Sequence, residues 1–395
     1  MNNTFTYKQE FVVDDFVSLF HERFTSEATP IVVRSPGRVN LIGEHTDYNK
    51  GFVLPAAIDK AIYFAVAPRR DMQFKLFSLD MNEWYEGNLR ALKHAEQRWP
   101  NYLIGIVDQL IKAGYEFEGF DCMFGGDVPI GAGLSSSAAI EGGLIFALNT
   151  LFGLNMDKLT MVRLAQKAEN EFVGVQCGIM DQFINIFGKD KNALKIDCRS
   201  LEYEYIPFES SDLSIVLCET QTHRALASSE YNIRFRQCYE GVSILSSINP
   251  SITSLRDVTL PFLEEHKTLL TPTVYRRCFY VVKENQRVID ACEDLKRNDI
   301  AAFGRKMYLS HEGLSKDYEV SSAELDFLVE VASGVRGVLG ARMMGAGFGG
   351  CTINLVEEHA VESFVAEAKQ QYFDKTQKTL QVHIVKLKTG TEQIV

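Results

Sequence analysis

The amino-acid sequence predicts an α+β fold with two domains, and three observations support this prediction. The chain has 395 residues, which is more than one hydrophobic core usually organises. Short segments rich in Val, Ile, Phe and Ala alternate with amphipathic stretches in the first half, whereas long helical patterns dominate the second half. We expect the change of domain near 199–211, which divides the chain into domains at 1–198 and 211–395.

The spacing of apolar residues predicts the helices and strands in order. Apolar residues three or four apart indicate helices, and short runs of β-branched and aromatic residues indicate strands. In the first half we expect helices at 10–25, 99–113, 135–150, 157–173 and 179–187 and strands at 31–36, 52–54, 61–68, 73–79 and 118–126. After these we expect strands at 193–197, 202–206, 213–219, 352–356 and 381–386 and helices at 226–248, 281–295, 299–313, 323–334 and 360–374.

Composition, charge and cysteine spacing exclude several classes of protein. A hydrophobic fraction of 46% and a charged fraction of 24% are ordinary for a globular protein. The formal net charge of −11 argues against a general binder of nucleic acid or anionic membranes. The eight cysteines form no CxxC pair and lack the spacing of a zinc site, so reduced thiols are expected. With no signal-peptide pattern and no apolar run near ~18 residues, the sequence predicts a cytoplasmic protein, and nothing in it implies an obligate protein partner.

The densest polar cluster occupies residues 35–49, which read Ser-Pro-Gly-Arg-Val-Asn-Leu-Ile-Gly-Glu-His-Thr-Asp-Tyr-Asn. A half-buried strand puts Arg38 and Asn40 on one face, because residues two apart in a strand share a face. Three further polar side chains follow the next glycine: Glu44, His45 and Asp47. The spacing alone leaves two interpretations open, a ligand site and a solvated edge strand followed by a turn.

A glycine- and serine-rich loop precedes the helix predicted at 135–150. Residues 125–139 read Gly-Gly-Asp-Val-Pro-Ile-Gly-Ala-Gly-Leu-Ser-Ser-Ser-Ala-Ala. Glycines let a backbone approach an anion closely, and a helix N-terminus offers unpaired N–H groups to phosphates. The alternative is that Ser135 or Ser136 only caps the helix. The loop is not a Walker loop, since the pattern GxxxxGK[ST] is absent.

Two carboxylates on later helices are further candidates. Glu169 falls inside the apolar stripe of the helix predicted at 157–173, where an unpaired charge is costly, so a cation or a structural salt bridge is expected beside it. Asp181 lies at the margin of the next apolar stripe, where a surface role favoured by the helix dipole is the alternative. Residues 342–352 form a second glycine-rich turn, which is weak evidence by itself.

Taken together, these segments resemble the GHMP small-molecule kinase superfamily. Residues 37–48 are similar to the galactokinase signature at every defined position. The resemblance extends to 129–138, 177–183, 227–231 and 345–350, and it therefore spans essentially the whole chain. It implies an N-terminal α/β domain of the ribosomal-S5-like type, a C-terminal ferredoxin-like domain and an active site between them.

The resemblance also implies a role for each site residue. Asp181 is implied as the catalytic carboxylate, with Arg38 as its charged neighbour. The residues implied to hold the sugar hydroxyls are Glu44, His45, Asp47, Gly178 and Tyr231. Those implied to hold ATP are Gly131, Ala132, Gly133, Leu134, Ser135, Ser136 and Ser137 around the phosphates and Trp99 beside the adenine. Mg²⁺ is implied to bind Ser137 and Glu169.

The activity implied by the resemblance is transfer of the γ-phosphate of MgATP to the C1 hydroxyl of galactose, with ATP as co-substrate and Mg²⁺ as the metal. The proximity of Arg38 that the resemblance implies should keep Asp181 ionised, and an ionised carboxylate held in this way is expected to be a weak base. We therefore expect Asp181 to orient the hydroxyl and to collect its proton late in a loose transition state.

Two alternatives to this activity stay open from the sequence. An N-acetylgalactosamine kinase needs extra room near C2 of the sugar, and the stretch 51–55 resembles plain galactokinases more. A non-catalytic sensor of galactose and ATP has no need for every catalytic group, whereas the serines at 135–137, Glu169 and Asp181 are all present.

Overall fold

The chain folds into a mixture of helices and strands. Its computed structural model describes residues 11–25, 28–129, 133–175, 177–208, 212–221 and 227–395. The helices are α1 (Val13–Arg23), α2 (Pro100–Lys112), α3 (Ser136–Leu151), α4 (Lys158–Lys167), α5 (Met180–Phe187), α6 (Ala227–Ile248), α7 (Leu260–Glu265), α8 (Pro272–Lys296), α9 (Ile300–Lys316), α10 (Ala323–Gly334) and α11 (Val361–Thr376). The strands are β1 (Ile31–Asn40), β2 (Phe52–Val53), β3 (Pro55–Pro68), β4 (Gln73–Ser78), β5 (Glu83–Asn88), β6 (Phe120–Gly126), β7 (Asn192–Asp197), β8 (Tyr203–Pro207), β9 (Leu213–Glu219), β10 (Val338–Met344), β11 (Cys351–Glu357), β12 (Gln381–Val385) and β13 (Glu392–Gln393). This mixed content confirms the predicted α+β class.

The first half of the chain is built on a six-stranded sheet in the order β13-β1-β3-β6-β4-β5. All neighbours are antiparallel except β4 and β6. Helix α3 covers β1 and β3 and buries apolar residues almost all round, as a helix between a sheet and other helices must. This sheet and α3 therefore fix the relative positions of the end of β1 and the start of α3.

A four-stranded antiparallel sheet in the order β10-β11-β9-β12 organises the second half. Helices α9 and α10 cover β10, and α11 packs against α10. A third, three-stranded sheet joins β2, β7 and β8. None of the helices within these described ranges is long and apolar enough to cross a membrane.

Four of these helices and strands were not expected from the sequence: β5, β10, β13 and α7. Strand β10 was missed because Gly340 and Arg342 interrupt its apolar pattern, and both are buried there. Helix α8 begins at Pro272 rather than at 281, because Thr271 caps it through the N–H of Val274. The helix predicted at 157–173 is α-helical only to Lys167 and continues as a π-helical turn over Ala168–Val173.

The far end of the sequence returns to the first sheet. Gln393 pairs with Val33 and Glu392 with Arg34, which makes β13 the edge strand beside β1. The N–H of Thr391 donates to the backbone oxygen of Asn185 on α5. The division at 1–198 and 211–395 stays a prediction, but 391–395 lie with the sheet of the N-terminal half.

Candidate active site

Five segments meet beside the end of β1: the turn at 43–49, the start of α3, the π-helical turn, the start of α5 and the loop after β10. Each is a break between regular elements, where backbone groups and short polar side chains are free to face a ligand. The predicted site residues within the described ranges lie on these breaks, apart from Arg38 on β1, Tyr231 on α6 and Trp99, which directly precedes α2.

Arg38 and Asp181 form a bidentate ion pair between β1 and α5. Arg38 Nε donates to Oδ1 of Asp181 and its NH2 group donates to Oδ2, both at 2.8 Å. The NH1 group of Arg38 donates to the carbonyl oxygen of Gly133, and Ser135 Oγ donates to Oδ2 of Asp181. The Arg38 side chain is 8% exposed and that of Asp181 is 28% exposed, so the carboxylate keeps an open side.

The start of α3 is not capped by a serine side chain. Ser135 occupies the N-cap position in a left-handed conformation (φ 58°) and makes no capping hydrogen bond, because its hydroxyl is turned to Asp181. The capping interpretation is therefore wrong for Ser135. The first N–H groups of a 16-residue helix are left for another acceptor. Gly133, with φ of 80°, and Leu134, whose oxygen accepts from the N–H of Arg38, line the approach; Gly131 and Ala132 lie outside the described residues.

Glu169 lies on the π-helical turn and is buried, with 6% of its surface exposed. Its carboxylate accepts from Gln182 Nε2 at 2.7 Å, from the Cys177 thiol at 3.4 Å and from the Ser137 hydroxyl. Burial, and next the Asp181 carboxylate, raise the pKa of Glu169. The cation or salt bridge expected beside it is not supplied by any residue of the described ranges, whose three donors to Glu169 are all neutral.

Glu141 is a second buried carboxyl beside Glu169, and it was not among the residues predicted from the sequence. It lies on α3, is fully buried, and accepts from the same Gln182 amide at 3.1 Å. Burial, and next the Glu169 carboxylate, raise its pKa well above the ordinary value. The signal was a single acidic residue within the apolar run of α3.

Glu44 is held by the loop after β10. Its Oε1 accepts from Arg342 NH2 at 3.0 Å and from the N–H of Gly345 at 2.8 Å. Arg342 has no exposed surface and also donates to the carbonyl oxygens of Asn40 and Leu41 at the end of β1. A buried pair with further hydrogen bonds to both partners joins the two halves of the chain at this point.

His45 has protein partners at both ring nitrogens. Nδ1 lies 2.8 Å from the Tyr48 hydroxyl, and Nε2 lies 3.2 Å from the carbonyl oxygen of Ala346. The residue is buried and has φ of 61°. Asn49 Nδ2 donates to its backbone oxygen, which supports this rare conformation. Burial lowers the pKa of His45 to about 3, so the ring is neutral.

Asp47 and Gly178 are in close contact. A methyl group on Gly178 would overlap the Asp47 carboxyl, so only glycine allows the two segments to approach this closely. Burial raises the pKa of Asp47 to about 7, and the Asp181 and Glu44 carboxylates contribute to the rise. Tyr231 of α6 lies nearby, with its ring centroid 5.5 Å from that of His45. The predicted sugar residues are thus brought together.

Trp99 is placed differently from the other predicted residues. It belongs to the core of the first half, with 6% of its surface exposed, and its ring lies beside that of Phe124. Its indole N–H donates to Glu83 on β5 at 2.7 Å. This environment leaves little of the ring for a nucleotide base, and the role beside adenine stays a prediction.

This chain is similar to known proteins in family signatures, in sequence and in structure. Residues 18–68 match the model described as "Galactokinase galactose-binding signature", residues 101–189 match "GHMP kinases N terminal domain", and residues 291–375 match "GHMP kinases C terminal". The galactokinase of Roseiflexus sp. (strain RS-1) is 42% identical over 92% of this chain and 93% of that protein. The chain belongs to the galactokinase family.

Other members of the galactokinase family match over almost the full length. The galactokinase of Fusobacterium nucleatum is 41% identical over 98% of this chain and 99% of its own. The structure of Lactococcus lactis galactokinase complexed with galactose has a TM-score of 0.93 at 36% identity and covers 97% of this chain and 100% of that one. Methanococcus jannaschii mevalonate kinase, with a TM-score of 0.66 at 19% identity, shares the fold. These matches do not favour the N-acetylgalactosamine kinase or sensor alternatives.

Some residues that contact the predicted site residues were not themselves predicted from the sequence. Besides Glu141, these are Gln182, Arg342, Tyr48 and Tyr318. Arg342 gave a signal, since it is a charged residue directly before a glycine-rich turn. Gln182 and Tyr318 gave none, because their roles depend on contacts with residues far away in the sequence.

Proposed function

We propose that this chain transfers the γ-phosphate of MgATP to the C1 hydroxyl of galactose, giving galactose 1-phosphate and ADP. Its membership of the galactokinase family makes it an ATP-dependent sugar kinase, and C1 of galactose is the finer assignment proposed here. The single observation that carries the proposal is the Arg38–Asp181 ion pair, because it joins the sugar signature, the serine-rich loop and α5 at one point.

The proposed reaction depends on position and charge rather than on covalent catalysis. Phosphoryl transfer has a loose transition state, so a group that aligns the acceptor hydroxyl and groups that offset phosphate charge supply most of the rate. Asp181, with its open side, accepts a hydrogen bond from the hydroxyl and holds it in line. Arg38 fixes the orientation of Asp181 and adds positive charge beside the start of α3.

The proton of the acceptor hydroxyl is collected late. Arg38 donates to both oxygens of Asp181, and Ser135 adds a third donor, so both carboxylate oxygens already accept hydrogen bonds before bonding to phosphorus begins. As the hydroxyl oxygen bonds to phosphorus its acidity rises, and the proton then passes to Asp181. Asp181 therefore orients first and accepts second.

A Mg²⁺ ion fits the proposed ligands Ser137 and Glu169. The Glu169 carboxylate is buried, its pKa is raised, and its partners in the described ranges are neutral, so a divalent cation would relieve an unbalanced charge. Mg²⁺ in nucleotide sites takes one or two protein oxygens and completes its shell with phosphates and water. When bound it offsets the charge of the phosphates. Gln182 holds Glu169 in place for this role.

Sugar selection is proposed for the group formed by Glu44, His45, Asp47, Gly178 and Tyr231. A site built to pair with a hydroxyl rejects an epimer that misplaces it by up to about 10⁴-fold, because a buried polar group is then left unpaired. Glu44 has one oxygen engaged by Arg342 and Gly345, which fixes the direction of the other. The cytoplasmic location remains a prediction.

The test is ADP release from MgATP with a panel of hexoses. We expect turnover with galactose, much less with glucose, and ³¹P NMR of the product should place the new ester on C1. The panel includes N-acetylgalactosamine, which decides the 2-substituted alternative. The Asp181→Asn variant is the matched control for contaminating kinase activity. Absence of galactose-dependent ADP release from folded protein would contradict the proposal.

A further inference from the structure

A chain of hydrogen bonds runs from His45 into the second half of the molecule. The Tyr48 hydroxyl lies 2.8 Å from His45 Nδ1 and 2.7 Å from the Tyr318 hydroxyl. The Tyr318 hydroxyl in turn lies 3.2 Å from the sulfur of Cys238. At the other end, His45 Nε2 lies 3.2 Å from the carbonyl oxygen of Ala346. Five groups are therefore linked in one line.

The members of this line come from separate parts of the fold. His45 and Tyr48 belong to the signature turn, Cys238 to α6, Tyr318 to the segment after α9, and Ala346 to the loop after β10. Tyr318 has no exposed surface, Cys238 has 2% and His45 has 5%. Hydrogen bonds among groups this deeply buried are strong and mutually dependent. The line thus ties the sugar signature to three elements of the second half.

The direction of every hydrogen bond follows from one end of the line. A carbonyl oxygen only accepts, so the bond to Ala346 requires a proton on Nε2 of His45. Burial lowers the pKa of His45, so the ring is neutral and Nδ1 carries no proton. Nδ1 must then accept from the Tyr48 hydroxyl. The Tyr48 oxygen accepts from Tyr318, and the Tyr318 oxygen accepts from the Cys238 thiol.

We propose that Tyr48 and Tyr318 are positioning residues that hold His45 as the Nε2–H tautomer, so that the histidine presents a hydrogen-bond donor, never an acceptor, at Nε2. In the unliganded protein this donor holds the loop after β10 through Ala346. A sugar hydroxyl that takes the place of the Ala346 oxygen must accept a hydrogen bond from His45. This deepens the proposed function, on which its sugar-binding part rests.

The tautomer is tested first on the unliganded full chain. Ring ¹⁵N labelling of histidine, with the His45 signals identified by their loss in His45→Gln, reports the proton on each nitrogen separately. We expect a neutral ring with the proton on Nε2 and a hydrogen-bonded Nδ1 at about pH 7.5. A ring protonated on Nδ1, or on both nitrogens, would overturn the proposal. This measurement is independent of turnover, so it stands even where no hexose supports ADP release.

The positioning role is tested with Tyr48→Phe, which removes the donor to Nδ1. We expect the Nδ1 signal to move to its non-hydrogen-bonded position and KM for galactose to rise about 3- to 10-fold. KM for MgATP and kcat should stay within about 2-fold, because the line does not reach the phosphate side. Tyr318→Phe keeps the bond from Tyr48 to His45 and should give a smaller rise in the same direction. An unchanged KM for galactose in folded Tyr48→Phe would contradict the role.

Tyr372→Phe is the matched control for these variants. Tyr372 is also a fully buried tyrosine, and its hydroxyl donates to the backbone oxygen of Thr220 at 2.7 Å, outside the line. It should lower stability as much as Tyr318→Phe but leave the His45 signals and KM for galactose unchanged. If Tyr372→Phe changed the His45 signals and KM for galactose as strongly as Tyr48→Phe does, these effects would reflect a general loss of stability and the proposal would fail.

Discussion

Arg38 and Asp181 are joined by two hydrogen bonds of 2.8 Å, although they lie 143 positions apart in the sequence. The guanidinium fork matches a carboxylate in geometry, so the pair fixes the plane of the carboxylate as well as its position. Asp181 is the more exposed partner, with 28% of its side chain exposed against 8% for Arg38. In the proposed reaction, this asymmetry would let Asp181 be held by Arg38 and still contact the sugar.

Replacing Asp181 with Asn should lower kcat by about 10²- to 10⁴-fold, since the acceptor of the hydroxyl proton is lost. Galactose binding, measured by calorimetry, should remain detectable because the other sugar residues are unchanged. Arg38→Lys keeps the positive charge without the fork, so it should also lower kcat, while leaving KM for galactose less affected. Near-normal turnover by Asp181→Asn would remove Asp181 from the reaction.

The variants Glu169→Gln and Glu141→Gln should distinguish the roles of two neighbouring buried carboxyls. Glu169→Gln removes the proposed Mg²⁺ ligand, so the Mg²⁺ concentration needed for half-maximal activity should rise by about 10-fold or more. The pKa of Glu169 is raised in the folded protein, so ionisation of this carboxyl lowers the stability of the protein as the pH rises. Gln does not ionise, so unliganded Glu169→Gln should be more stable than the parent at neutral pH.

Glu141→Gln replaces a carboxyl that accepts from the same amide, and its Mg²⁺ requirement should change little. Thermal unfolding with and without MgATP measures the stability of both variants. Equal Mg²⁺ requirements in the two variants would rule out a specific role for Glu169.

Asp47 should give the unliganded protein a pH-dependent stability. Its pKa is raised to about 7, so between about pH 4 and 7 the unfolded carboxyl is ionised while the folded one is protonated. Stability from this group is present below about pH 4 and is lost as the pH rises through about 7. The loss should be about 1–2 kcal/mol, less than full linkage, because the carboxyl keeps some contact with solvent.

The measurement is urea unfolding at a series of pH values for the parent and for Asp47→Asn. The difference between the two proteins should change with pH only in this window. Asp14→Asn, at an exposed position of α1, is the control. A pH-independent difference between parent and Asp47→Asn would contradict the prediction.

Arg342→Met should destabilise the protein by about 3–5 kcal/mol, because it leaves Glu44 buried without its partner. Adding Glu44→Gln should recover part of this loss, so the double variant should cost less than the sum of the single ones. Urea unfolding gives the four free energies. Lys316→Met, which breaks an exposed pair with Glu312, should have no measurable effect. Additive costs would show that Arg342 and Glu44 do not interact.

Gly178→Ala should impair sugar binding while leaving nucleotide binding intact. The added methyl group would overlap the Asp47 carboxyl and displace it. KM for galactose should rise by about 10-fold or more, with KM for MgATP unchanged. Gly334→Ala is the control, because the space around Gly334 is empty to 4 Å, and kinetics should not change. A normal KM for galactose in folded Gly178→Ala would contradict the assignment of Gly178 to the sugar site.

Much of the fold and of the site could be predicted from local patterns. Strong apolar periodicity located α2 and α5 to within a few residues, because each buries one continuous surface. The segments containing Glu44, Asp47 and Ser135 were recognised because polar residues or glycines are unusually dense there. The structure places these segments side by side, as the resemblance implied.

What could not be predicted depends on distant contacts. Strand β10 is stabilised by its pairing with β11 and by the hydrogen bond from Arg342 to Glu44, which lies 298 positions away in the sequence. The π-helical turn that carries Glu169 has no sequence pattern that distinguishes it from α-helix. Glu141 looked like one acidic residue in a helix, and only Gln182 relates it to Glu169. Tertiary contacts decide such features, and local propensity does not contain them.

The pairing of β13 with β1 means that one of the first strands to be synthesised is paired along its outer edge only after the last strand has been made. The ribosome makes β1 among the earliest elements, but its outer edge finds its partner only when residues 392–393 have been translated. Until then a nascent chain carries an open strand edge, which is a site for pairing with other chains. Chaperone dependence and aggregation during expression should therefore respond to changes at 391–395 more than the small size of this segment suggests.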